Sequence, residues 1–150
     1  MKNSLVVLIA ALALSVSVQG CQAQASEKTA ATGATATAAN KTAVVEDING
    51  DTYLKMKAEN PSIQLLDVRT PEEVVGGFIE GMKHINVHDA LFAEKAGENL
   101  NKALPIVVYC KAGGRSARAA EMLTQNGFSQ VYNLTGGIST WMTEGKATVK

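Results

Sequence analysis

Cys110 opens the run Cys-Lys-Ala-Gly-Gly-Arg-Ser, between the apolar stretch Pro105 to Tyr109 and the helix-like stretch Ala117 to Gln125. A thiol between strand and helix stands where a loop can curl its backbone N–H groups around an anion, and where the helix adds the positive end of its dipole. Lys111 and Arg115 bring full positive charges close by. Each influence favours the thiolate, which is the nucleophilic form of cysteine. This chemistry requires position 110 to be ionised near neutrality and open to solvent. A cysteine ending a buried strand is often just a small core residue, but such residues have apolar neighbours, and two glycines and two cations follow this one. Gly113 and Gly114 carry no side chain, so the backbone is free to approach a bound anion or to take positive φ.

Other residues with chemical potential carry less. Asp67 and Arg69 have the types needed to orient a substrate, but their place at a strand end beside a helix start favours a structural ion pair. His84 and His88 have a spacing that would align them on a helix, yet Ile85 and Val87 between them argue for a strand and turn, so no metal site is expected. Glu72 and Glu73 suit the positive end of a helix dipole and need no catalytic role. Trp141 reads as a core anchor.

These residues need a scaffold. Val44 to Ile48 is a short candidate strand, and Tyr53, Leu54 and Met56 suit a helix ending near Asn60-Pro61. Ile63 to Val68 is a β-rich run, Thr70-Pro71-Glu72-Glu73 has the composition of a helix start, and Gly76-Gly77 stops that helix. His84 to Val87 is a further strand candidate, and Asp89 to Leu100 contains a helix. Ile106 to Tyr109 is the clearest buried strand. Ser116 is expected to cap a helix whose face carries Ala117, Ala120 and Leu123, with Asn126-Gly127 as a left-handed stop. Val131 to Leu134 is the next strand, and Ile138 and Trp141 lie on a last helix. Alternating strands and helices predict an α/β domain on a largely parallel sheet. Sites in such sheets form at the carboxyl ends of strands, where Asp67, Arg69 and Cys110 all fall.

The N-terminal part reads differently. Lys2 precedes an apolar run from Leu5 to Val18, interrupted only by Ser15 and Ser17 and short for a bilayer span. It fits a secretory signal with two competing cleavage sites. Val18-Gln19-Gly20 before Cys21 resembles a bacterial lipoprotein box, though Gln19 is unusual there. Ala23-Gln24-Ala25 is a small-x-small site for ordinary signal peptidase. Lipidation at Cys21 is favoured because it gives that cysteine a purpose. By the same analogy, Gln22 permits sorting to the outer membrane.

The expected organisation is a signal over residues 1–21, a disordered Ala/Thr-rich linker over 22–42 and a folded domain over 43–150. Either cleavage route predicts a periplasmic protein, with membrane contact only through a lipid anchor. Cys110 is then left without a disulfide partner, a liability in an oxidising compartment unless the thiol has a task. Without residues 1–21, thirteen basic side chains face fourteen acidic ones, a balance that carries no nucleic-acid footprint.

Three blocks now stand in order: Leu-Leu-Asp67-Val-Arg69-Thr-Pro-Glu-Glu, then Cys110-Lys-Ala-Gly-Gly-Arg115-Ser116, then Tyr132-Asn-Leu-Thr-Gly136-Gly137-Ile-Ser-Thr-Trp141. Together they resemble a single-domain rhodanese, over nearly all of Val44 to Gly145. The resemblance implies an α/β fold with about five mainly parallel strands flanked by helices, and Cys110 as nucleophile. Lys111, Ala112, Gly113, Gly114, Arg115 and Ser116 would be the loop around its sulfur. It implies transfer of a sulfane sulfur from thiosulfate or a related anion, through a Cys110 persulfide, to cyanide, a thiol or a periplasmic thiol protein. No metal or organic cofactor is implied. The sequence departs from the family pattern at Phe78, where histidine is common, and at Asn86, where proline is common; both positions concern the substrate rim.

Two other functions share these residues. A persulfide carrier uses the same cradle without turnover. Cysteine-dependent phosphatases and arsenate reductases resemble Cys-x5-Arg, whereas four residues separate Cys110 from Arg115. A tetrahedral oxyanion needs the roomier loop, and the loop has no acid to protonate a leaving alkoxide.

Overall fold

The computed structural model describes residues 44–150. The signal, the linker and the lipidation site Cys21 lie outside the described residues. The strands are β1 (Val44–Ile48), β2 (Gln64–Asp67), β3 (Lys83–His84), β4 (Ile106–Tyr109) and β5 (Gln130–Leu134). They form one parallel sheet in the order β1-β5-β4-β2-β3. The helices are α1 (Gly50–Glu59), α2 (Pro71–Val75), α3 (Phe92–Asn99), α4 (Gly114–Gln125) and α5 (Gly137–Thr143).

β4 lies in the middle of the sheet, and all four of its residues are buried, as its unbroken apolar run predicts for a strand covered on both faces. Its side chains alternate. Ile106, Val108 and then Cys110 join Phe92, Ala96, Ala119, Ala120 and Leu123 on the face covered by α3 and α4. Val107 and Tyr109 join Tyr53, Ile138 and Trp141 on the face covered by α1 and α5. The period of two along one strand thus builds two cores and sets Cys110 between the end of the sheet and α4.

Several local expectations are corrected. β3 is only Lys83–His84, not His84 to Val87. It is an edge strand whose ladder ends early, although the N–H groups of Ile85 and Val87 still donate to Asp67 O and Val68 O. The helix expected within Asp89 to Leu100 is present as Phe92–Asn99, preceded by a turn in which Asp89 Oδ1 accepts from Leu91 N–H. α4 begins at Gly114, with Gly113 as the flanking residue, so Ser116 sits inside the first turn and does not cap the helix. The residues α4 buries are Ser116, Ala119, Ala120 and Leu123, with Ala117 only half-buried. The start of α2 follows its sequence: Thr70 precedes Pro71, and the Glu73 carboxylate accepts from Thr70 N–H.

Candidate active site

Cys110 leaves β4 and the chain turns at once. Gly113 takes φ +97°, where an added Cβ would also meet Gly136 N at 3.1 Å, so glycine is needed on two counts. That turn directs the Gly113 N–H at Cys110 Sγ, 3.1 Å away, and brings the first turn of α4 behind it. Ser116 Oγ lies 3.5 Å from the same sulfur. Burial pushes the Cys110 thiol up, but hydrogen bonds from the Ser116 hydroxyl and from the N–H groups of Ser116, Ala112 and Gly113 outweigh it. The result is a thiol below its ordinary value.

One expectation is overturned here. The sequence reading requires the thiol to be open to solvent, and Cys110 is 1% exposed, so attack on a donor needs the loop to part around the sulfur. The cause is the tightness of the same loop that stabilises the thiolate: its backbone closes over the sulfur to within hydrogen-bonding distance. Lys111, Ala112 and Gly114 of the same loop are themselves exposed.

The loop is held from outside by α5. Ile138 N–H donates to Cys110 O (2.9 Å) and Ser139 N–H donates to Lys111 O (3.0 Å). Gly137 makes this approach possible: a Cβ there would lie 2.3 Å from Cys110 O, and its φ is +55°. The Thr-Gly-Gly block at residues 135–137 therefore supports the loop that carries the thiol.

The charges around the site are less free than the sequence suggests. Arg115 is gripped by Glu73, with Nη1 and Nη2 each 2.7 Å from a different carboxylate oxygen. The Arg115 hydrogen bonds pull the Glu73 carboxyl down to about 2 against the effect of burial. Lys111 is exposed and forms no ion pair among the described residues. Asp67 and Arg69 are buried and paired, Nη2 to Oδ2 at 2.6 Å. Arg69 also donates to Glu73 O (3.0 Å) and Gly77 O (2.8 Å). This pair ties the end of β2 to the middle of α2 and to the turn that follows it, and so fixes the element that carries Glu73.

Sequence reasoning set Glu73 aside as a partner of the helix dipole. Its main partner stands 42 residues away, and only the fold brings the two together. Asn133 was also missed. Its Oδ1 accepts from Ser116 Oγ at 2.7 Å, and its Nδ2 donates to Asp47 Oδ1 at 2.7 Å. An amide side chain between Tyr132 and Leu134 in a predicted strand was the available signal. His84 uses Nε2 to bond Arg69 O at 2.8 Å, and His88 is exposed. Among the described residues, no group of three or more His, Cys, Asp or Glu is placed to hold a metal ion. A cavity of ≈ 580 Å³ at the β3 edge includes no residue of the Cys110 loop.

A cysteine at the carboxyl end of a central parallel strand, with a loop N–H donating to its sulfur, is an arrangement with known relatives. The Rhodanese-like domain family matches residues 51–144. This chain belongs to the rhodanese-like family. A sulfurtransferase of Allochromatium vinosum is 32% identical over 102 residues, covering 68% of this chain and 92% of that protein. The crystal structure of a rhodanese-related protein from Thermoplasma volcanium superposes with a TM-score of 0.57 at 32% identity, covering 69% of this rhodanese and 97% of its relative. The solution structure of a polysulfide-sulfur transferase homodimer from Wolinella succinogenes gives 0.59 at 32% identity, covering 70% and 78%. The α/β fold with five parallel strands matches what the three sequence blocks imply.

Proposed function

We propose that this rhodanese is a sulfurtransferase that carries a sulfane sulfur on Cys110. The observation that carries the reading is the Gly113 N–H donating to Cys110 Sγ at 3.1 Å, in surroundings that lower the thiol despite its burial. The Cys110 thiolate attacks the outer sulfur of thiosulfate. A bond forms between the two sulfurs, the S–S bond of the donor breaks, and sulfite leaves with its electron pair. The persulfide anion left behind takes its stabilisation from the N–H groups of Ala112, Gly113 and Ser116. Lys111 attracts the donor, and Arg115 does so to the extent that Glu73 releases it. Cyanide, a small thiol or a thiol protein then removes the outer sulfur. Asp67 and Arg69 brace the site and take no part in the chemistry.

The rival phosphatase reading fits poorly. A loop that already brings Gly113 N within 3.1 Å of Cys110 Sγ suits one sulfur atom better than a tetrahedral oxyanion. A persulfide carrier is the stronger second reading, because a sulfur 1% exposed would shelter its cargo from solvent. Steady-state turnover with thiosulfate and cyanide supports the enzyme, and stoichiometric loading without turnover supports the carrier.

The deciding experiment for either reading is intact mass after thiosulfate treatment of the wild type and Cys110→Ser. A gain of one sulfur by the wild type alone is expected, and a gain by both or by neither overturns the assignment of Cys110. Export to the periplasm, with a lipid anchor at Cys21, completes the proposal and rests on the run Leu5 to Val18 and the residues before Cys21. Mass spectrometry of the mature N-terminus tests it, and a free Ser26 terminus excludes the anchor.

A further inference from the structure

A chain of hydrogen bonds runs from the edge of the sheet to the Cys110 sulfur. The parallel register of β1 and β5 sets Asp47 opposite Asn133. Asn133 Nδ2 donates to Asp47 Oδ1 at 2.7 Å, Ser116 Oγ donates to Asn133 Oδ1 at 2.7 Å, and Ser116 Oγ stands 3.5 Å from Cys110 Sγ. Asp47 is exposed on the edge strand, whereas Asn133 and Ser116 are buried.

The direction of this chain is fixed at its outer end. An ionised carboxylate has no proton to give, so the Asn133 amide must turn its N–H groups to Asp47 and its oxygen to Ser116. Two oxygens 2.7 Å apart need a proton between them, and Ser116 holds the only one. Its hydroxyl is thereby committed to Asn133 and turned from the sulfur. With the amide reversed, an N–H would satisfy the Ser116 oxygen and leave the hydroxyl proton to Gly113 O or Cys110 Sγ.

We infer that Asp47 is a positioning residue which, through Asn133, withholds the Ser116 proton from the Cys110 sulfur until that sulfur carries charge. The inference deepens the reading of Cys110 as the atom that takes sulfur, and rests on it for its purpose. The loop N–H groups bind the anion, and the chain makes the anion compete for one further proton. An attacking thiolate loses nucleophilicity as its thiol grows more acidic, so a loop that over-stabilised the anion would slow its attack on the donor. Asp47 sets that balance from outside the site.

The test is the half-point of Cys110 ionisation, read as the thiolate ultraviolet absorbance that Cys110→Ser abolishes. Asp47→Ala frees the amide to rotate and is expected to lower the half-point, giving roughly threefold more thiolate at a pH well below it. In a Ser116→Ala background the same substitution is expected to have no effect. Glu46→Ala is the control for charge alone, because Glu46 pairs with Tyr132 and, by the period of two, faces the other side of the sheet. The other charged groups carried by the loop and the elements around Cys110 are Lys111, Arg115, Arg118, Glu73 and the Asp67–Arg69 pair, and they are the same in every variant. A half-point unmoved or raised in Asp47→Ala overturns the inference, as does a shift that survives in the Ser116→Ala background or is matched by Glu46→Ala.

The rate of sulfur loading from thiosulfate against pH carries a second signature. Asp47→Ala should load faster than the wild type below the half-point and slower, by less than about twofold, above it, where both thiols are ionised. A variant that is merely less stable gives no such crossing, and curves that do not cross overturn the inference. If the protein takes no sulfur while the half-point moves as expected, the sulfurtransferase reading fails and Asp47 still positions Ser116. If it loads and the half-point stays in place, this inference fails alone.

Discussion

Glu73 holds Arg115 in a two-point ion pair, each carboxylate oxygen 2.7 Å from its own guanidinium nitrogen, and so fastens α2 to the first turn of α4 beside Cys110. The carboxylate offsets the cation that the sequence assigns to the sulfur. Glu73→Gln removes that offset and leaves Arg115 fully positive near the thiol. The half-point of sulfur loading against pH is therefore expected to move down, and the KM for thiosulfate to fall by roughly threefold. Stability in urea should drop by about 1 kcal/mol with the loss of the charged pair. The sign with pH follows from the depressed carboxyl. The pair contributes above the ordinary carboxyl range and is lost as pH falls toward about 2, so the wild type and the variant should converge in acid. A half-point that moves up instead means that Glu73 serves to aim Arg115 at the sulfur and not to screen it.

Ser116 has one hydroxyl proton and three acceptors within reach. Asn133 Oδ1 lies at 2.7 Å, Gly113 O at 2.9 Å and Cys110 Sγ at 3.5 Å. While the thiol is neutral the nearer oxygens win, and once it ionises the charged sulfur competes for the proton. Ser116→Ala removes that donor from the thiolate. Its Cys110 half-point, read from thiolate ultraviolet absorbance, is expected above that of the wild type. Loading at neutral pH should slow by roughly three- to tenfold. An unchanged titration curve shows that the backbone N–H groups alone set the thiol.

What the sequence discloses and what it hides divide along a physical line. The buried run of β4, the place of Cys110 at its end and the Thr-Pro-Glu-Glu start of α2 depend on neighbours in the chain, and all three were legible. The Glu73–Arg115 pair and the Ser116–Asn133 bond join residues 42 and 17 apart, and nothing local announces either. The cap assigned to Ser116 failed for a different reason. Serine is a good capping residue, but Gly113 in a left-handed conformation turns the chain earlier and starts α4 at Gly114. Solvent access to the thiol was misjudged because the glycines that free the backbone to bind an anion also let it close over the sulfur.

The Asp67–Arg69 pair is buried, and Arg69 also donates to two backbone carbonyls around α2. Asp67→Asn leaves Arg69 charged, buried and without its carboxylate, a change expected to cost about 3–5 kcal/mol in urea unfolding. If the variant keeps its stability but loses sulfur loading, Asp67 acts on substrate and the bracing role is wrong.

Gly137 stands against the backbone of the loop it supports. A methyl group there would fall 2.3 Å from Cys110 O and 2.7 Å from Lys111 O, at a φ of +55° that an L side chain rarely adopts. Gly137→Ala must shift either α5 or the loop, and either movement breaks the hydrogen bonds from Ile138 N–H and Ser139 N–H. A loss of more than about 2 kcal/mol is expected from the clash and the backbone strain together. Gly114→Ala is the control, since its Cβ would meet nothing within 4 Å. Equal stability of the two variants by thermal and urea unfolding would show that α5 does not clamp the loop.

The closed loop makes a claim about reagents of different girth. Cys110 is 1% exposed within a tight loop that brings Gly113 N to 3.1 Å from its sulfur, so an incoming molecule must part that loop by the width of whatever carries the reacting atom. Thiosulfate presents a single terminal sulfur, and the atom it delivers is the one the N–H groups are placed to hold. A bulky maleimide must bring a ring to the same depth. Thiosulfate loading of the native protein is therefore expected to go to completion, while a bulky maleimide alkylates Cys110 at least about tenfold more slowly in the native protein than in the urea-unfolded chain. Loss of this protection in Gly137→Ala would tie the cover to its α5 support. Equal maleimide rates in folded and unfolded wild type would mean that the loop stands open in solution, and the thiol would then be the accessible group the sequence leads one to expect.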